Sequence, residues 1–237
     1  SNLWSESYNW CGFCFARGAL TTGIDAWSVH PYSKLPEEYF EAYGIVRDLM
    51  AKHGGPRDFP IMNSERGFPT AKAEGFAGGD PAKKEEIQAW LLARQQLVDL
   101  ALGTHGTIYY EWKNDKEGFG IYNGDKPNLA HQAYATLIRE LDGLSFAERI
   151  ETEHPYDYVM AFTGPDGTRK LALWTGAKEG KKLETTEPHP ITVKVDATGE
   201  VAVVDLIGKT STLPVVDGAI TITLDGGPQY VTVKTRP

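Results

Sequence analysis

Three short stretches of this sequence combine residue types that can do chemistry: His30-Pro31-Tyr32, Asn63-Ser64-Glu65-Arg66-Gly67 and Glu111-Trp112-Lys113-Asn114-Asp115. Together they offer a carboxylate, a tyrosine and a histidine able to hydrogen-bond it, and a tryptophan plane. A carboxylate facing an oxocarbenium-like carbon, with an aromatic surface to hold the sugar ring, is the equipment for breaking a glycosidic bond.

Each stretch closes a short apolar run. Ile24–Tyr32 reads as a strand stopped at Pro31, Phe59–Asn63 as a second, and Thr107–Trp112 as a third. Between them lie segments of helical period. One opens at Pro36-Glu37-Glu38, carries Phe40, Tyr43, Val46, Leu49 and Met50 on one face, and stops at His53-Gly54-Gly55-Pro56. Another starts at Asp80-Pro81, presents Ile87, Trp90, Leu91, Leu97, Val98, Ala101 and Leu102, and ends at Gly103. Leu129–Leu141 is a third helix closed by Gly143, and Ser5–Leu20 reads as a helix ahead of the first strand. Alternating strands and helices at this spacing build a parallel sheet with helices outside it. In such folds the working residues gather at the carboxyl ends of the strands.

The texture changes between Leu144 and His154. From Tyr156 onward short runs such as Tyr158–Phe162, Leu171–Trp174, Ile191–Val195, Val201–Val204, Ala219–Leu224 and Tyr230–Val233 are separated by turns at Pro165-Asp166-Gly167 and Asp217-Gly218. This predicts an antiparallel all-β domain, a small sandwich. The fold class is therefore α/β plus all-β, divided into residues 1–147 and 148–237.

Composition sets the bounds. The 237 residues are 41% hydrophobic and 24% charged, ample for a buried core. Twenty-four basic against 32 acidic residues give a net charge of −8, with no basic excess to follow nucleic acid or an anionic membrane. No apolar run reaches the roughly 20 residues a membrane span needs. The chain starts at Ser1 without a leader, the state that removal of an upstream segment would leave. Cys11 and Cys14, the only cysteines, form a Cys-x-x-Cys that reads as two packed thiols of a helix, with redox or metal chemistry the alternative. His53, His105, His131, His154 and His189 are scattered without ligand spacing, so no metal and no cofactor is expected. Trp27 alternates with Val29 and is expected to pack inward, and Glu111 is read as structural.

The stretches DAWSVHPYS, PIMNSERGFPT, EEIQAWLLARQQLVDLALG, IYYEWKND and FGIYNGDKPNLAHQAYATLIRELDG resemble, in this order, the last part of the (β/α)₈ TIM barrel of clan A retaining glycoside hydrolases, closest to families 5 and 39. The resemblance covers roughly Ile24–Gly143 and implies a partial barrel, strands six to eight with helices five to eight, followed by the β-sandwich. Carried over residue by residue, it implies Glu65 as nucleophile, with His30 and Tyr32 positioning it and Tyr32 hydrogen-bonding it. It implies Trp112 as the floor of a sugar subsite, with Asn114 and Asp115 reaching the substrate from the adjoining loop. The implied substrate is a β-linked oligo- or polysaccharide, and the implied location is secreted.

The sequence departs from the family in one respect. Clan A places its acid/base glutamate in an Asn-Glu dipeptide on the fourth strand, and this chain contains no Asn-Glu. Trp4-Ser5-Glu6-Ser7 is the nearest echo, but the 17 residues separating Glu6 from Ile24 cannot hold two helices and a strand. The acid/base is thus expected outside this chain. Three parallel strands with open edges also need cover, either from an N-terminal barrel half or from a second copy as a homodimer. A non-catalytic glycan-binding or assembly module is the alternative reading.

Overall fold

The computed structural model describes residues 5–70, 81–113, 117–176 and 187–234. Its α/β part holds α1 (Ser5–Ala16), β1 (Trp27–Val29), α2 (Tyr39–Lys52), β2 (Ile61–Arg66), α3 (Pro81–Ala101) and β3 (Gly106–Tyr109). The three strands form a parallel sheet in the order β1-β2-β3. Two short strands, β4 (Tyr122–Asn123) and β5 (Lys126–Pro127), pair as a hairpin before α4 (Leu129–Leu141). The antiparallel strands follow: β6 (Ser145–Ile150), β7 (Asp157–Thr163), β8 (Thr168–Thr175), β9 (His189–Lys194), β10 (Glu200–Val204), β11 (Thr210–Pro214), β12 (Ala219–Leu224) and β13 (Gln229–Lys234).

The chain divides into two compact units, residues 1–66 with 98–109, and residues 67–97 with 110–237. In the first unit, α2 begins after a 3₁₀ turn at Pro36–Glu38, where proline's fixed φ suits a helix start. Tyr39, Ala42, Tyr43, Val46 and Met50 form its buried face. Trp27 is half-buried and packs against a helix, edge-on to Phe15 of α1 with ring centroids 4.8 Å apart. Two strands are shorter than their apolar runs, β1 being confined to Trp27–Val29 and β3 ending at Tyr109, so Trp112 lies beyond the strand, whereas β2 runs past Asn63 to Arg66.

In the second unit, six strands pair antiparallel in the order β11-β10-β13-β8-β7-β6, and β9 pairs with β12. Val159, Ala161, Leu171, Leu173, Val231 and Val233 share a core with Val193, Ile220, Ile222 and Leu224 of the β9–β12 pair. The opposite face of the long sheet is buried as well. There Lys170 donates to Glu140 of α4 at 2.7 Å, and the Trp90 ring of α3 lies so close to Gly226 that a Cβ there would stand 2.4 Å from it. Burial on both faces explains why β7 and β8 read as continuous apolar runs (DYVMAF, LALWT), whereas β12, with one buried face, alternates. β6 (SFAERI) and β11 (TSTLP) interleave polar residues with few apolar ones and left no apolar signature. Among the described residues, no helix is long and apolar enough to cross a membrane.

Candidate active site

Glu65 stands at the carboxyl end of β2, and a backbone irregularity decides where it points. Asn63 pairs with Thr107 of β3 and Arg66 with Tyr109, so three steps on β2 span two on β3, a bulge. Strict alternation would put Glu65 on the face of Asn63. With the extra residue it is Arg66 that occupies this buried side. Its Nε donates to Tyr39 Oη of α2 at 2.5 Å and its Nη2 to the Ser33 carbonyl, while Glu65 turns to the accessible side with Ser64.

On that side the predicted partners converge. Tyr32 Oη donates to Glu65 Oε1 at 2.9 Å, and His30 Nδ1 lies 3.8 Å from the same oxygen. His30 Nε2 is 3.1 Å from Ser64 Oγ, which in turn is 2.5 Å from Ser28 Oγ. The Arg66 guanidinium sits 5.1 Å from the Tyr32 ring centroid, so one arginine supports both the loop that carries Tyr32 and the strand that carries Glu65. Arg66 lies within the stretch that drew notice in the sequence, yet only the bulge reveals its role.

Beneath the site, Asn63 Nδ2 donates to Asp99 Oδ2 at 2.8 Å and Thr107 Oγ1 to the same oxygen at 2.9 Å. Burial lifts the Asp99 carboxyl to about 6, against the lowering effect of bonds from Asn63, Thr107 and Thr104. Asp99 thereby ties the last turn of α3 to β2 and β3. A polar residue at the inward position of a helix face announced nothing in the sequence.

Trp112 belongs to the other compact unit. Its ring is 59% exposed, stacks on Tyr122 at 4.6 Å and meets His131 edge-on at 6.1 Å. Tyr122 Oη and His131 Nε2 are 3.3 Å apart, so the indole has a fixed backing and an accessible surface. The backbone around it is held by Gln88 of α3, whose Nε2 donates to the Phe68 and Gly118 carbonyls. Asn128 donates to both Gln88 Oε1 and the Gly120 carbonyl. Asn128 also caps α4 by accepting from the His131 N–H. Tyr122 and Gln88 were not singled out in the sequence, and His131 only as one of the scattered histidines, since each becomes relevant only through contacts across loops. The predicted Asn114 and Asp115 lie outside the described residues.

Cys11 and Cys14 are free thiols on α1, and burial raises the Cys11 pKa. The histidines are less scattered than their spacing implies. His154 and His189 meet at the Asp157 carboxylate, a grouping that chain folding alone creates.

No protein-family model matches the sequence, and no curated protein matches it. Solved structures do. One is a family 39 glycoside hydrolase from the gut symbiont Bacteroides cellulosilyticus, with a TM-score of 0.69 and 21% identity, covering 94% of this chain and 48% of that one. CelM2, a bifunctional glucanase-xylanase from a metagenome library, has a TM-score of 0.61 and 10% identity, covering 95% of this chain and 47% of that one. A GH30 endoxylanase from Clostridium papyrosolvens has a TM-score of 0.58 and 12% identity, with 91% and 52% covered. The chain spans about half the length of each of these structures. Over that length, the chain shares the fold of these glycoside hydrolase structures.

Proposed function

We propose that the chain is the nucleophile-bearing part of a retaining glycoside hydrolase acting on a β-linked oligo- or polysaccharide. The observation that carries this reading is the 2.9 Å bond from Tyr32 to Glu65 at the carboxyl ends of two neighbouring parallel strands. Tyr32 holds Oε1 and keeps the carboxylate oriented. Oε2 attacks the anomeric carbon as the glycosidic bond breaks and the leaving oxygen takes a proton, and water then hydrolyses the glycosyl ester. The proton donor is a glutamate outside these 237 residues, on the remaining barrel strands. Residues 1–147 act as the C-terminal part of the barrel and 148–237 as a β-sandwich that supports it. Trp112 offers its accessible face to a sugar ring, and Asn114 and Asp115 are proposed as further substrate-binding residues.

The test uses dinitrophenyl β-glycosides, whose leaving group needs little acid assistance. The wild-type chain is expected to release dinitrophenol slowly and to gain one glycosyl mass on the peptide containing Glu65. Glu65→Gln is expected to do neither, and in the complete enzyme to abolish turnover while leaving folding intact. Turnover retained by Glu65→Gln overturns the reading. A wild-type chain inert to the whole series, alone and with its barrel complement, makes it a glycan-binding module instead.

A further inference from the structure

Outside the Glu65 site, one side-chain cluster has a geometry that calls for a cation. Asp157, the first residue of β7, is 1% exposed, and both its carboxylate oxygens lie 3.0 Å from Nε2 of His189, which opens β9. His154 Nδ1 is 3.6 Å from Oδ1. On the other edge of the His189 ring, Nδ1 is 3.2 Å from the Glu187 carbonyl oxygen, which can only accept, so Nδ1 carries a proton. A neutral His189 would then aim the Nε2 lone pair at an anion. Something positive must lie between them, either a second ring proton or a metal ion.

We propose that His154, Asp157 and His189 form a binding site for a divalent transition-metal ion, with zinc the best match. Two imidazoles and a carboxylate are a zinc donor set, and bonds of about 2.1 Å in tetrahedral array place ligand atoms about 3.4 Å apart. The separations here, 3.0 and 3.6 Å with all three ligand atoms inside 4.8 Å of one another, bracket that edge. The Glu187 carbonyl fixes the His189 tautomer that ligates through Nε2, the arrangement usual behind a metal-bound histidine. Asp157 and His154 are preset by the bond from the Asp157 N–H to the His154 carbonyl at 3.0 Å. The cluster opens into a cavity of about 550 Å³, which Glu151 and Glu153 line and make more anionic. Of the nearby cations, Lys194 lines the same cavity, and Arg149 donates to the Asp157 carbonyl with its guanidinium over the Tyr158 ring.

β7 belongs to the six-stranded sheet and β9 to the pair with β12, so a bound ion clips the two layers together. On binding, the metal replaces the Nε2 proton, which passes to solvent, so affinity falls as pH drops below the ordinary histidine range.

The chelator-treated chain is titrated with zinc chloride by calorimetry, and its thermal midpoint is followed with zinc and with magnesium. One zinc per chain and a midpoint raised by zinc but not magnesium are expected. His154→Ala removes a half-exposed ring without opening the core. It is expected to keep the metal-free midpoint and weaken zinc binding about 10- to 100-fold, and His189→Ala is expected to abolish binding. No uptake at millimolar zinc overturns the proposal, since the positive charge is then a proton only. Undiminished uptake by both variants overturns it too, and places zinc elsewhere, with Cys11 and Cys14 the next donors to replace.

Discussion

Asn63→Leu probes whether the buried carboxylate under the site is held by the strand that carries Glu65. Asn63 is fully buried, and its side-chain N–H bonds Asp99 at 2.8 Å. With Asp99 ionised, losing that charge-assisted bond costs roughly 2 kcal/mol, and with Asp99 protonated roughly 1 kcal/mol. Asn63 Oδ1 has no hydrogen-bond partner among the described residues, so placing an apolar group there returns some stability at either pH and drops out of the difference. The Asp99 pKa of about 6 lies between pH 5 and pH 8, so the variant should be about 1 kcal/mol more costly at pH 8 than at pH 5. Equivalently, its Asp99 should titrate about 0.7 higher than in the wild type.

The sign in the wild type follows from the same shift. Folded Asp99 binds its proton more tightly than the unfolded chain, whose carboxyl titrates near 3.8, so its contribution is complete below that pH. It is lost as pH rises through about 6, about 3 kcal/mol in all. Urea unfolding at the two pH values and a carboxyl-carbon NMR titration measure both effects. Equal costs at pH 5 and pH 8, or an Asp99 midpoint near 3.8, refute the reasoning.

Tyr32→Phe deletes the 2.9 Å donor to Glu65 and, in the complete enzyme, should lower kcat/KM about tenfold with unchanged folding; an unaltered kcat/KM would separate Tyr32 from the nucleophile. At Gly67 a Cβ would stand 1.6 Å from the Tyr110 carbonyl oxygen, so Gly67→Ala should cost about 3 kcal/mol or more, read as a lower denaturant midpoint, and a midpoint equal to wild type contradicts that contact. Without metal, the His189 ring should titrate above 6.5. Its contribution to stability is present below 6.5 and is lost as pH rises through the folded value. Asp157→Asn should bring the midpoint back toward 6.5, and a wild-type His189 already titrating there removes the argument for the pair.

Helices and the order of elements were legible because their signals are local. Pro36, the closing Gly143 and the apolar period of Leu129–Leu141 act within a turn or two of chain. Strand limits were less so: the apolar run through Trp112 continues past Tyr109, where pairing with β2 stops. The order of residues along the chain already put a histidine and a tyrosine after one apolar run and a carboxylate after the next, because those runs and the proline that stops the first are local features. Tertiary structure alone decided which way Glu65 faces, because one unpaired residue in β2 reverses a period-two pattern. It alone placed Arg66 under Tyr32, Asp99 under Asn63, and His154 and His189 on one buried carboxylate. These contacts join residues far apart in the chain, where no local periodicity can record them.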